Sequence, residues 1–284
     1  MKLQTKTSAL VVALALTASG LVFLPGAAAA TTPGTSARPN APAKPKVVRI
    51  QSNDTKVTVN DARFRPGVTE FRVTKTAHRG SSLIILETDD IDRAFRKLQK
   101  AFIGGDGSAD AMKAFDRLVT TYGGGNEGAR WQVKLSRGSY YMLDTKTNKS
   151  TTFRVKGERR GRKMQHADSS VWATKDNQFK TDGALEGNWI SFENKSREIH
   201  FLEAARVANS TTARDVRQGL KSPKEPEWIR PGGFFFDVQS TGIRTVHYQE
   251  VSSGRYLLIC FMPSEEQDGV PHAFMGMWHL VNAV

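Results

Sequence analysis

One cysteine, Cys260, stands in 284 residues, so no disulfide can close within the chain and the fold must be held by its core. Long apolar runs are also scarce. After the stretch Ala9 to Leu24 no segment could span a bilayer, which excludes a membrane protein with several helical spans. There is no Gly-x-Ser-x-Gly elbow, no His-Glu-x-x-His pair, no phosphate-binding P-loop and no dinucleotide fingerprint. The common hydrolase, zinc-peptidase and nucleotide-dependent classes therefore have no foothold. Acids are outnumbered, 28 Asp and Glu against 41 Lys and Arg, for a net charge of +13. A hydrophobic share of 39% excludes wholesale disorder.

The placement of the basic residues decides what the charge means. Lys2 and Lys6, the apolar stretch and the small run Ala27 to Ala30 predict a removable secretory signal over 1–30. Residues 31–46, rich in Pro and Ala, predict a flexible tether, and Lys156 to Lys163 (KGERRGRK) marks a basic linker over 156–165. Signal, tether and linker carry +2, +3 and +4, which leaves +4 for the folded remainder. No basic stripe with interleaved aromatics is present, so a specific nucleic-acid groove is not expected. The basic tether and linker suit weak contact with an anionic wall or surface. The expected location is secreted or at the cell envelope, with no membrane span once the signal is removed.

The two halves share motifs. Gly138-Ser-Tyr140 to Asp144 matches Gly254-Arg-Tyr256 to Cys260, and Leu83 to Glu87 matches Ile199 to Glu203, with Ile84 to Asp144 and His200 to Cys260 both spanning sixty positions. This predicts a duplicated domain, 47–155 and 166–284. Alternation at Lys56–Val59, Glu70–Val73, Trp189–Phe192 and Arg255–Met262 predicts sandwich strands in both copies. Ile91, Phe95, Leu98 and Phe102, then Ala109, Met112, Phe115 and Val119, recur at helical spacing, which predicts a helical-hairpin insertion over 89–122 in the first copy. Gly104-Gly105 and Gly123-Gly124-Gly125 read as its helix stops. Thr211 or Thr212 is placed to cap a short helix in the second copy.

The candidate chemistry lies in the second copy: His200 on one strand, then Cys260, His272 and Met277 in the run CFMPSEEQDGVPHAFMGM. Two imidazoles, a thiolate and a long axial thioether form the ligand set of a blue-copper site. The same residues also admit a plainer account, in which Cys260 is a buried inert thiol, His200 a satisfied core histidine and Met277 core packing. His247 and His279 have no partner at ligand spacing and read as structural or exposed. His78 and His166 sit in polar loops.

With Phe192-Glu-Asn194 ahead of His200, Gly254-x-Tyr256-x-x-x-Cys260, Pro271-His272 and Gly276-Met277, the second copy resembles the cupredoxin family. The resemblance implies an all-β protein of two tandem cupredoxin-like Greek-key β-sandwiches, the first with the helical insertion. It also implies one type 1 copper held by His200, Cys260, His272 and Met277, and electron transfer or copper handling with an unidentified redox or envelope partner. Ile84 and Asp144, read as the counterparts of His200 and Cys260, leave the first copy without ligands. Phe201 follows His200 where many family members carry a bracing Asn, so the brace is expected to be missing. A metal-free binding or structural module of the same fold is the alternative, and an oxidase is disfavoured for want of a second His cluster.

Overall fold

The computed structural model describes residues 44–103, 108–159 and 161–284. The expected signal, most of the tether and the Gly104-Gly105 break lie outside these residues. In the first half, β1 (Lys46–Ser52), β2 (Val57–Val59), β4 (Gly67–Lys75) and β7 (Arg130–Leu135) form one layer. Its second layer holds β3 (Arg63–Phe64), β5 (Leu83–Glu87), β6 (Thr120–Gly125), β8 (Gly138–Asp144) and β9 (Ser150–Val155). The second half repeats the plan with β10 (Ser169–Ala173), β11 (Phe179–Thr181), β12 (Trp189–Asn194) and β15 (Arg244–Tyr248) facing β13 (His200–Val207), β14 (Ile229–Gln239), β16 (Gly254–Ile259) and β17 (Trp278–Ala283). Period-two patterning drives these strands inward on one face: in β1, Val48, Ile50 and Ser52 are buried while Arg49 and Gln51 are exposed. The strand order β2-β1-β4-β7 is matched by β11-β10-β12-β15, including the parallel pairs β1 with β4 and β10 with β12. The architecture is the all-β pair of Greek-key sandwiches that the resemblance implied.

The halves are joined strand to strand. β7 pairs antiparallel with its counterpart β15, and β6 with its counterpart β14, so both layers run on through the junction as one eight-stranded and one nine-stranded sheet. Joining like to like relates the halves by an approximate two-fold axis. Trp131 lies opposite His247 near that axis, their rings stacked at 6.5 Å, and His247 stacks on Phe236 at 3.8 Å.

Register corrects one part of the sequence reading. β8 and β16 align at Tyr140 and Tyr256, whose hydroxyls each donate to the carbonyl four residues back. On that alignment Leu143 corresponds to Ile259. Leu143 pairs with Ile84, whereas Ile259 pairs with Glu203, so the strand counterpart of Ile84 is Glu203 and not His200. The shared sixty-residue spacing holds in the sequence but not across the ladder. Asp144 keeps its place as the counterpart of Cys260. There it does structural work, accepting from Ser52 Oγ at 2.6 Å and from the N–H groups of Lys146 and Thr147 in the turn to β9.

The insertion forms α1 (Ile91–Ile103) and α2 (Ser108–Leu118). Asp90 caps α1 by accepting from the Arg93 N–H at 2.9 Å. Ala94, Leu98, Met112 and Phe115 are buried against Ile84 and Leu86 on the outer face of the first half, and this apolar cluster continues into the second half. Residues 120–122, assigned to the insertion from sequence, instead begin β6. Gly123-Gly124-Gly125 are likewise strand residues and not a helix stop. The physical reason is close approach: a Cβ on Gly124 would lie 2.3 Å from the Leu83 carbonyl oxygen, so only glycine lets β6 lie against β5 there.

Candidate metal centre

Three elements of the second half deliver the site. His200 opens β13, Cys260 follows the last residue of β16, and His272 begins a 3-10 turn, His272–Met275, that leads into β17. Gly276 closes that turn at φ 100°, where a side chain would be strained, and redirects the chain so that the Met277 N–H donates to the His272 carbonyl at 2.9 Å. The Cys260 N–H in turn donates to the Met277 carbonyl at 3.3 Å. The backbone of Met277 is thus tied to both neighbours, and its side chain is buried.

The donor atoms of His200, Cys260 and His272 all lie within 4.8 Å of one another, and all three residues are 0% exposed. Nδ1 of His200 is 3.6 Å from the Cys260 sulfur, and Nδ1 of His272 is 3.9 Å from it. An ion about 2.3 Å from sulfur and about 2.0 Å from nitrogen, in a trigonal plane, needs S···N edges of about 3.7 Å. The cluster fits that triangle.

Hydrogen bonding around the rings sets their tautomers. Glu198 Oε2 is 3.0 Å from His272 Nε2, and Glu198 Oε1 is 3.0 Å from Asn177 Nδ2. A carboxylate only accepts, so it takes a proton from His272 Nε2 and fixes the Asn177 amide with its nitrogen inward. Asn177 Oδ1 then faces His200 Nε2 at 3.2 Å and can only accept, so that nitrogen donates as well. Both rings are left with an Nδ1 lone pair aimed at one sulfur. A single thiol proton can serve one of them, which leaves a fully buried acceptor without a donor. A cation at the centre satisfies all three atoms.

Burial sets the charge states of these groups. Burial pushes the Cys260 thiol up to about 12, against the backbone N–H groups of Met262 and Phe201 that point at the sulfur and favour the thiolate. Burial, with the neighbouring His272, holds His200 well below the ordinary imidazole range, so it stays neutral and able to ligate. Burial alone would raise Glu198, but donors from His272, the Glu265 N–H and Asn177 outweigh it and hold the carboxyl below its usual range.

The helical insertion reaches this site. A Cβ on Gly269, in the loop between Cys260 and His272, would lie 2.6 Å from Ser108 Cβ at the start of α2. Burial, then Asp116 of α2 and Glu198, push Glu265 of the same loop up to about 7, with Lys113 and Arg117 opposing. The first half thus covers the loop that carries the second half's donors.

The structure brings together three of the four residues singled out from sequence and places the backbone of the fourth beside them. Glu198 and Asn177 were missed. The expectation of a missing brace after His200 is corrected: Asn177 supplies it, from the turn between β10 and β11. Glu198 stands two residues before His200, yet that spacing alone carries no signal for a brace on His272. His247 is buried and structural, its Nε2 2.8 Å from Thr245 Oγ1.

No family model and no curated protein matches the chain. Among solved structures it is similar to an auracyanin from Roseiflexus castenholzii, at 12% identity over 42% of this chain and 99% of that one, with a TM-score of 0.25. It is also similar to auracyanin A, a "blue" copper protein from Chloroflexus aurantiacus, at 13% identity over 40% and 96%, TM-score 0.25. A copper nitrite reductase from Nitrosomonas europaea matches at 10% identity over 85% of this chain and 94% of that one, TM-score 0.22. The assignment of the centre rests on its own donor geometry.

Proposed function

We propose that the chain is a secreted copper protein in which His200, Cys260, His272 and Met277 would hold one type 1 copper ion for electron transfer or copper handling outside the cytoplasm. The observation that carries this reading is the pair of Nδ1 lone pairs converging on one buried sulfur, each ring locked from behind by Glu198 or Asn177. Bound there, copper would supply a single redox step at a soft, mixed sulfur and nitrogen site. The protein's own part is to hold the donors still and dry. His200 and Cys260 sit at the ends of paired strands, Glu198 fixes both imidazoles, and the core and helical hairpin keep water out, so the ligands need little rearrangement.

The remaining assignments are proposals as well. The signal (1–30) directs export, the tether (31–46) and basic linker (156–165) give loose contact with an anionic surface, and the units 47–155 and 166–284 act as a donor-free cover and a metal-bearing domain. Among the described residues no helix is long and apolar enough to cross a membrane. Among those residues His200, Cys260 and His272 form a cluster of donors sufficient for one ion.

Titration of the chain beginning at Thr31 with copper, followed by visible absorption and metal analysis, tests the reading. One equivalent of copper with an intense thiolate charge-transfer band, abolished by Cys260→Ser, is the expected result. A featureless spectrum without stoichiometric copper would refute it and leave the metal-free binding module.

A further inference from the structure

On the outer face of the second half's part of the nine-stranded sheet lies a pocket. Thr212 caps a short helix, α3 (Ala213–Gly219), through reciprocal bonds with Asp215, and Val216 anchors that helix on the sheet. The chain then returns to β14 past Pro226 and Trp228, with Gly219 packed so close to both that a Cβ there would fall within 2.8 Å. Between this flap and the sheet, Leu220, Trp228, Ile259, Phe261 and Phe274 wall a cavity that has Glu203 in its lining.

Glu203 has no structural explanation. Its backbone pairs with Ile259 and Phe235 on either side, and among the described residues no hydrogen bond or ion pair engages its carboxylate. Burial pushes its carboxyl up to about 7. The first half shows the contrast, because the strand counterpart of Glu203 is Ile84, which is buried beneath the helical hairpin. The same sheet position is thus apolar and filled in one half, acidic and open in the other.

We propose that this pocket binds a small organic cation, an aromatic-sized apolar body ending in one protonated amine, with the amine on the Glu203 carboxylate and the body against Trp228, Phe261 and Phe274. The apolar walls exclude a strongly hydrated ligand, and the lone carboxylate disfavours an anion. A full positive charge is the partner that a carboxylate in apolar surroundings lacks. Lys224, also in the lining, is exposed, so solvent screens its charge. Phe261 follows Cys260 and Phe274 belongs to the His272 turn, so the ligand would rest on both arms of the donor loop.

The site does not depend on copper, and the test uses the metal-free chain. Phenethylamine and its neutral isostere 2-phenylethanol are titrated by calorimetry, with Trp228 fluorescence as a second readout. The amine should bind about tenfold or more tightly than the alcohol, as a charge-assisted bond in a sheltered site provides. Glu203→Gln should erase that preference while leaving the alcohol's affinity unchanged. Ala205→Leu, which fills the lining beside Glu203, should weaken both ligands with the circular dichroism of the fold preserved. Failure of the amine to bind at millimolar concentration, equal affinity for the two compounds in the wild type, or an amine preference that survives Glu203→Gln would each overturn the proposal. None of these outcomes bears on copper binding.

Discussion

His247, at the junction of the two halves, gives the sharpest test of how the interior is built. Its ring is buried, stacked on Phe236 at 3.8 Å and bonded to Thr245, and burial lowers its pKa to about 3 from the ordinary imidazole value of 6.5. A group whose folded pKa lies below its unfolded one contributes stability that is fully present above the unfolded value. That stability is lost as pH falls toward the folded value, because the unfolded chain takes up a proton that the native ring refuses. The window here runs from 6.5 down to about 3. Between about pH 7 and about pH 5 the loss amounts to about 2 kcal/mol. Other buried groups titrate in the same range: Glu203 and Glu265, both raised, act in the opposite sense, and His200 in the same one. The assay must therefore be a difference. Urea unfolding of wild type and His247→Gln, each at both pH values, isolates the ring, since glutamine can still bond Thr245 but cannot titrate. Losing the stack on Phe236 should cost about 1 kcal/mol at the higher pH. The gap between the two proteins should then shrink, and reverse, by about 2 kcal/mol at the lower pH. A gap that stays constant would mean that the imidazole is protonated or solvated in the folded state, and the reasoning would fail.

Two further perturbations follow from the same structure. Gly124→Ala should destabilise the fold by about 3 kcal/mol or more, measured by thermal unfolding, because the new methyl meets a backbone oxygen and not a side chain that can move; a loss under about 1 kcal/mol would show that β5 and β6 separate readily. Glu198→Ala should lower the stability of the metal-free chain by about 3 kcal/mol, since it orphans the His272 ring N–H, the Glu265 N–H and the Asn177 amide together. Glu198→Gln should cost less but still weaken copper binding, because it no longer dictates the tautomers of both rings; unchanged affinity in a copper competition titration would count against that role.

Much of this was legible from the chain. Alternation placed the strands because period-two burial is local, and the helical spacing of Ile91 to Val119 exposed the insertion for the same reason. The candidate donors were legible as residue types in order along the chain. What the sequence hid were relations between distant segments. Glu198 and His272 are 74 positions apart and Asn177 and His200 are 23 apart, and nothing in the composition of either neighbourhood announces the bond. Gly123-Gly124-Gly125 misled because a glycine run needed for close strand approach looks the same as one that ends a helix. The repeat misled in one respect, since matching spacing along the chain does not fix matching register across a ladder, and three residues of slippage moved Ile84 from His200 to Glu203.

The strand-to-strand junction between like halves has a consequence for what such a molecule can become. Two identical chains meeting through β6, β7 and their symmetry mates would form a closed dimer, and every change to one would appear in the other. A site could then be kept twice or lost twice, and never divided. Joining the copies in one chain removes that constraint. One half is free to give up its donors, place Asp144 where the other holds Cys260, and grow a helical arm that lies across its neighbour's loop. Asymmetry of that kind, with one member bearing the chemistry and its twin enclosing it, is open to a fused pair and closed to a symmetric one.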